Sequence, residues 1–502
     1  MAATATVAGM LCLFAAVMAA SITIYRVFFH PLRHIPGPLS CKISMWTWVH
    51  ADWNGKRAEI IRELHEKYGS AVRIGPREVS CTNPAAIPLI YGPTGPSSTF
   101  IRGPWYTAQS TMPDVHSLQN EPTLPEHSRR RRDWDPAFSI KALAGYKGNI
   151  QRNAETLLDQ VARLSREGLV DIRECMMWFG FDVMGELGFG RSFGTLEAAK
   201  TSAVVHLVEL GVRSINSIGN VPYVAHVMRF FPSPIQKFEA WLSEALEWRM
   251  SHQGEKEFVG ADVFAYLLGE QGKQRRKLDR RELQQDCMLM VVAGSDTTSN
   301  SMTFCLYELA RHPDIVARLR EELDPLVSGP LQPQDFDSLR DNAPLLNACI
   351  NETLRLWPPV PSGLQRTTTT SLTLPDDARG SQGRIILPPG TVASTHTWTI
   401  HRDQKNFWDA NSFIPDRWME TNEGVAAHNA KAWAPFGFGS TSCIGKNLAY
   451  MEMRAVLAQF IVRFNFAITP ADDREFLESV RDQFVVSAGA MKLQIAPRKQ
   501  ES

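Results

Sequence analysis

From Met1 to Tyr25 the sequence carries no charged side chain, and nothing else in it limits the architecture so severely. Val7–Tyr25 reads VAGMLCLFAAVMAASITIY. That is close to the ~20 apolar residues a helix needs to cross a bilayer. A cleaved signal peptide would want a basic leading region, which is missing. Arg26, Arg33 and Lys42 follow the span and nothing basic precedes it. Positive charge stays on the cytosolic side, so the rest of the chain is expected there. The plain alternative is an apolar helix buried in the body. HPLRHIPGP (His30–Pro38) follows, and its prolines 31, 36 and 38 stop any helix. The expected division is a membrane anchor over 1–29, a stiff proline-rich hinge over 30–38, and one body over 39–502.

Apolar residues make up 44% of the 502, enough for a sizeable core. Lys plus Arg (53) balances Asp plus Glu (53), which disfavours a nucleic-acid partner. The eight cysteines form no CxxC pair, arguing against a disulfide framework or zinc ribbon and for a reducing compartment. Ile60–Gly69 has helical periodicity with a Gly stop, and Ser70–Cys81 alternates like strand, turn and strand. Long helical patterns dominate from about Leu118 to Leu356. Strand-like pieces return between Thr367 and Val392, and QFVVSAGAMKLQIA looks like a hairpin. The expected fold is mainly α with small β-sheets.

Four stretches carry chemistry. Within Leu283–His312, all seven residues from Gly294 to Asn300 belong to the set Gly, Ser, Asp, Thr and Asn. Such poor helix formers mid-helix predict a kink or bulge, or a bend made for packing. Asp296 and Thr297 together would hold water and relay protons. Glu352 and Arg355 share a helical face. ExxR recurs at Glu59, Glu126, Glu308 and Glu478, so a surface pair is the default reading. A Pro-rich stop after Trp357 and FIPDRW (Phe413–Trp418) set this match apart, with Arg417 able to complete a buried cluster. Arg129–Arg132 are consecutive arginines, a solvated face from which one or two would turn inward. Last is AWAPFGFGSTSCIGKNLAYMEMR (Ala432–Arg454). Cys443 has no companion at zinc spacing and no nearby His base. A glycine-rich loop and a helix starting near Gly445 suit a thiolate facing a planar cofactor, although a buried inert thiol stays open.

Taken together these residues resemble the cytochrome P-450 family of haem-thiolate monooxygenases. Phe436-x-x-Gly439-x-x-x-Cys443-x-Gly445 is similar to its cysteine loop, Ala293–Thr298 to its oxygen-binding helix, and Glu352, Arg355 and Arg417 to its structural triad. The resemblance covers everything after the anchor and implies haem b with Cys443 as axial iron ligand. It also implies Asp296 and Thr297 as proton donors, and Arg131, Arg366 and His127 at the haem propionates, His127 standing where Trp is common. The family usually has Arg or His two residues before the cysteine. Here that position is Thr441, so weaker haem retention is expected, restored by Thr441→Arg. YRVFFHPLRHIPGP and LHEKYGSAVRIGP look like fungal microsomal members grouped with pisatin demethylase and benzoate hydroxylase.

The resemblance implies insertion of one oxygen atom from O2 into a lipophilic small molecule, in a fungal secondary-metabolite pathway at the endoplasmic reticulum membrane. Electrons would come from NADPH through an NADPH-cytochrome P-450 reductase, with cytochrome b5 as a second donor. Lys446 and the outward arginines among Arg129, Arg130 and Arg132 would meet its acidic face. Cavity walls are expected from 99–116, 207–231, 290–297, 360–364 and 484–488, and Met228–Pro234 would touch the bilayer. Hydroxylation, dealkylation, rearrangement and ring coupling remain open. A haem-thiolate isomerase or peroxygenase is disfavoured by the acid–alcohol pair. A haem sensor or a membrane-tethered binding protein leaves the motif order unexplained.

Overall fold

The computed structural model describes residues 2–498 except 93–99, 110–111, 113, 202, 222, 225–226, 228–230, 232–233, 253–261, 271–277, 328, 333, 376–384 and 420–427. Helix α1 (Ala2–Ile24) runs into a π-helical turn over Tyr25–Phe29. The apolar stretch Thr4–Phe29 is long enough to cross a bilayer and none of it is buried, so it is not a core helix. The proline elbow is docked on the body rather than hanging free. Leu32 and Ile35 are fully buried, and Arg73 N–H donates to the Pro36 carbonyl at 2.7 Å.

Twelve short strands are described. The first eight are β1 (Ala71–Arg73), β2 (Glu78–Cys81), β3 (Phe100–Arg102), β4 (Val170–Asp171), β5 (Arg366–Thr368), β6 (Leu372–Thr373), β7 (Ile386–Leu387) and β8 (Val392–Thr395). β9 (Phe464–Ala467), β10 (Arg481–Gln483), β11 (Val485–Ser487) and β12 (Lys492–Pro497) close the chain. The largest sheet has the order β1-β2-β8-β5-β3. β1 and β2 pair antiparallel as the alternation predicts, and β2 runs parallel to β8. The expected terminal hairpin is not there. β11 pairs with β10, whereas β12 pairs with β4 and β9. Gly489 N–H donates to Ser479 Oγ at 2.7 Å, which carries the chain from one sheet to the next instead of turning it back.

The long helices are α2 (Trp46–Trp53), α3 (Arg57–Tyr68), α4 (Leu124–Trp134), α5 (Ile140–Leu164), α6 (Ile172–Phe189), α7 (Ala203–Gly219), α8 (Pro234–Ser251), α9 (Arg280–Arg311), α10 (Pro344–Leu356) and α11 (Lys446–Arg463). α9 is capped by Asp279 and Glu282 in a reciprocal box. It stays α-helical through Gly294–Asn300, so the bulge offered among the expectations is not formed. Ser295, Thr297, Ser301 and Thr303 each donate to the carbonyl four residues earlier at 2.7–2.8 Å. Their hydroxyls are thus satisfied on the helix itself and the ladder is left intact. Glycines bring α6 against α9. A Cβ at Gly180 would meet Ser299 Oγ at 2.3 Å, and one at Gly294 would meet Met184 Sδ at 2.2 Å. The main core joins α5, α6, α9, α10 and α11.

Candidate active site

Glu352 settles which ExxR pair matters. Its carboxylate accepts from Arg355 Nε and Nη2 at 2.8 Å, Arg417 Nε at 3.0 Å, Trp418 Nε1 at 2.9 Å and the Ile414 N–H at 2.9 Å. All three charged side chains are buried. Arg355 also donates to the carbonyls of His401, Ala410 and Ser412, pinning the segment ahead of the cysteine loop to α10. A buried pair is tolerated when its remaining hydrogen-bonding capacity is filled this way. At Glu126–Arg129, by contrast, the match is a half-exposed surface pair.

That frame presents the cysteine loop. Cys443 N–H donates to the Phe436 carbonyl at 2.8 Å, and Gly437 and Gly439 take φ of 72°. A Cβ on Gly439 would strike the Tyr91 carbonyl at 2.4 Å, so a side chain there would push the loop away from the end of the short helix Ala86–Tyr91. Cys443 is exposed, yet to a cavity of about 420 Å³ rather than to bulk water. Burial raises its thiol pKa, while the N–H groups of Gly445 and Lys446 and the charge of Arg131 pull the other way. A Cβ at Gly445 would meet only the Cys443 sulfur, at 3.8 Å. Phe436 also lines the cavity.

One wall of the cavity is strongly basic. Arg131 donates to the Ser442 carbonyl and to Asp135, both at 2.8 Å. Arg366 donates to Thr441 Oγ1 at 2.9 Å and stacks over the Tyr91 ring. Thr441 therefore holds Arg366 in place, a role its sequence position did not suggest. Arg130, offered as a docking cation, is instead buried against Asp286 at 2.6 Å. Arg132 and Lys446 remain exposed.

The residue sequence reasoning missed is Arg102. In β3 it lies directly opposite Arg366 of β5, two guanidinium groups side by side across antiparallel strands. Both are buried, and among the described residues neither has a carboxylate within ion-pair distance. Like charges so placed repel unless an anion sits between them. Burial first, and then Arg366, pull the Arg102 pKa down to about 10. His127 is buried too, pushed to about 3 by burial and by Arg102, Arg131, Arg366 and Arg130, and its Nδ1 has no partner. No sequence signal marks Arg102, since only strand register brings it to Arg366.

α9 supplies the opposite wall. Ala293, Gly294, Thr297 and Thr298 line the cavity with Cys443. Asp296 does not; it faces a second cavity of about 400 Å³ with Arg173, His206 and Glu209. Successive helix residues lie about 100° apart, so the acid and the alcohol open onto different chambers. Burial raises Asp296 to about 6, opposed by Arg173. Val292 and Val485 line both chambers. Glu452 of α11 also reaches the main cavity, buried, with neither carboxyl oxygen partnered. Burial alone lifts it to about 8. Of the wall segments expected from sequence, 290–297, 360–364 and 484–488 contribute as anticipated, whereas 207–231 gives the main cavity only Gly211 among the described residues. In Met228–Pro234, residues 228–230 and 232–233 lie outside the described set and Phe231 is exposed.

A sequence model of cytochrome P450 matches residues 36–495. The chain belongs to the cytochrome P450 family. This P450 is 33% identical over 487 residues to cytochrome P450 monooxygenase FCK2 of Fusarium pseudograminearum, covering 95% of this chain and 84% of the relative. It is 34% identical over 495 residues to cytochrome P450 monooxygenase orf5 of Eupenicillium brefeldianum (96% and 94%), and 32% identical over 482 to tryprostatin B 6-hydroxylase of Aspergillus fumigatus (95% and 83%). It is an oxidoreductase of the monooxygenase class, mainly α with small sheets, with a haem-thiolate cofactor and reducing equivalents that derive from NADPH. The cavity fits that cofactor: a sulfur on one wall, an apolar helix face on the other, and uncompensated buried guanidinium groups that call for carboxylates.

Proposed function

We propose that the P450 is a membrane-tethered monooxygenase acting on a neutral lipophilic small molecule in a fungal secondary-metabolite pathway, with Cys443 as the axial ligand. The observation that carries this reading is that Cys443 and Thr297 line one cavity together with a basic wall. When bound, the haem supplies reductive activation of O2, placing one oxygen atom in substrate and the other in water. Burial raises the Cys443 thiol, and the N–H groups of Gly445 and Lys446 oppose that rise, so they favour the thiolate form that would bind iron. Arg102, Arg131, Arg366 and His127 would hold the propionates. The Thr297 hydroxyl, donating to Ala293 at 2.8 Å, keeps its lone pairs toward the cavity and positions water there. Asp296, whose carboxyl burial raises to about 6, takes up and gives back protons in the second chamber, one helix residue before Thr297. Gly445 and Phe436 shape the floor.

In this reading residues 1–29 anchor the chain in the endoplasmic reticulum membrane, 30–38 join it to the body, and 39–502 form the catalytic domain. An NADPH-cytochrome P-450 reductase, with cytochrome b5 as a second donor, docks near exposed Arg132 and Lys446. Aromatic or aliphatic hydroxylation is favoured over rearrangement, dealkylation or coupling, because one relative is named a hydroxylase. The test is the optical difference spectrum of the reduced, carbon-monoxide-bound protein. A Soret band shifted far to the red in the wild type and absent from Cys443→Ala supports the assignment. The same band in both proteins overturns it. Thr297→Ala should keep consuming NADPH while losing product and releasing peroxide.

A further inference from the structure

Besides the arginine wall and the Glu452 carboxyl, the main cavity holds a buried neutral polar group that neither haem nor oxygen chemistry employs. Asn120, 5% exposed, lies on the loop leading into α4 and lines the cavity, and its Oδ1 has no partner. Its backbone is fixed, because its N–H donates to the Ser117 carbonyl at 3.1 Å. A buried acceptor left unmet is costly, and in a binding site it marks where a ligand donor belongs. Of the other orphans of this cavity, Tyr106 packs under Arg102 and His127 lies among the arginines, both at the basic end, and the Glu452 carboxyl sits on α11, the helix that follows the cysteine loop.

Much of the chamber is aliphatic, but one part of its wall is an aromatic pair. Trp105 stacks on Phe484 with centroids 4.2 Å apart, and a Cβ on Gly219 would meet the Trp105 ring at 3.0 Å, so the indole is held from behind. Phe484 adopts φ of 73°, a conformation unfavourable to any residue but glycine, and its N–H donates to Asp482 Oδ1 at 3.1 Å. Strain kept at a cavity wall is typical of binding sites. Resting on the reading of this cavity as the reaction site, we infer that the substrate is a flat aromatic molecule carrying an N–H or O–H donor, which Asn120 Oδ1 accepts while the ring packs on the Trp105–Phe484 wall. Donor recognition by a buried amide rejects the analogue that lacks the donor more sharply than an apolar wall rejects a methyl group.

The test titrates ferric, haem-loaded protein with indole and with 1-methylindole, reading the Soret shift and, in parallel, binding heat. Wild type is expected to prefer indole even though the methylated ring is more lipophilic. Asn120→Leu should move the ratio of the two affinities toward 1-methylindole by roughly three- to tenfold. Asn120→Asp, which keeps an acceptor, should retain the preference. An unchanged ratio in Asn120→Leu overturns the inference and leaves the amide to water. Faster haem loss from Asn120→Leu with an unchanged ratio also overturns it, assigning the amide to the propionates. Failure of the monooxygenase reading is separate, since it removes the red-shifted carbon monoxide band whichever indole binds.

Discussion

Thr441 stands two residues before Cys443, and the Arg366 guanidinium donates to its hydroxyl at 2.9 Å. Removing that hydroxyl leaves Arg366 beside Arg102 without its tether. Thr441→Val should therefore speed haem transfer to an apoglobin acceptor severalfold, while Thr441→Ser should not. Arg102→Leu should cost more, since a buried charge-assisted contact contributes about 1.5–3 kcal/mol. Arg102 also revises the expectation for Thr441→Arg. The charge thought missing is already present across the strand pair, and a fourth guanidinium would be repelled by Arg102, Arg131 and Arg366, so no gain in retention is expected. Equal transfer rates from wild type and Arg102→Leu would dismiss this account. Glu452 makes a second prediction at this scale. Its folded pKa near 8 lies above its ordinary 4.5. Its contribution to stability is thus whole below about pH 4.5 and is lost as pH rises through 8, with a slope of at most about 1.4 kcal/mol per pH unit. Glu452→Gln should flatten that decline, read from urea midpoints of the haem-loaded protein between pH 5 and 8. Cys443, Glu352 and Thr297 were legible because local spacing and neighbours define them. Arg102, Glu452 and Asn120 were not, because their meaning lies in what surrounds them after folding.

Element identity was more legible than element partnership. The β1–β2 pair and α3 with its stop at Gly69 follow from alternation, periodicity and a positive φ of 101° that glycine accepts. The terminal strands were recognisable one by one, but their pairing depends on β4 and β9, far away in sequence. For α9, propensity foretold a bulge, and the helix instead keeps its α ladder, with the hydroxyls bonded back to its own carbonyls. The α6–α9 seam gives this a measurable form. At Gly188 an added Cβ meets the Met290 methyl at 2.0 Å, the far end of a flexible side chain that can swing aside. At Gly180 it meets the Ser295 carbonyl at 2.9 Å and the Ser299 hydroxyl, which itself donates to the Met176 carbonyl. Gly180→Ala should therefore destabilise by about 1–3 kcal/mol, and Gly188→Ala by less. Thermal denaturation that ranks the two the other way would show that the backbone yields more readily than methionine.

For the whole molecule, the proline-rich elbow after the apolar helix is packed into the body that follows it. A proline-rich elbow reads as a spacer, and a spacer could be cut anywhere. In the folded chain, however, Arg26 Nη1 donates to the Ile43 carbonyl at 2.5 Å, Arg73 Nη1 returns a bond to the Arg26 carbonyl at 3.1 Å, and His30 is buried. Leu32 and Ile35 fill the second core beneath β1 and β2. Removing residues 1–25 should take away the apolar helix and leave this lock closed. Removing residues 1–36 should open it, exposing the β1–β2 face at a cost of about 3–6 kcal/mol for two fully buried aliphatic side chains. The sheet so weakened is the one that sets Arg102 against Arg366, so the shorter protein should lose haem sooner in a denaturant series as well as unfold earlier. Coincident unfolding and haem-release midpoints for the two truncations would mean the elbow is a spacer after all. A midpoint that falls only when residues 26–36 go would make the elbow part of the catalytic body, tying the membrane end of the chain to the wall that holds its cofactor.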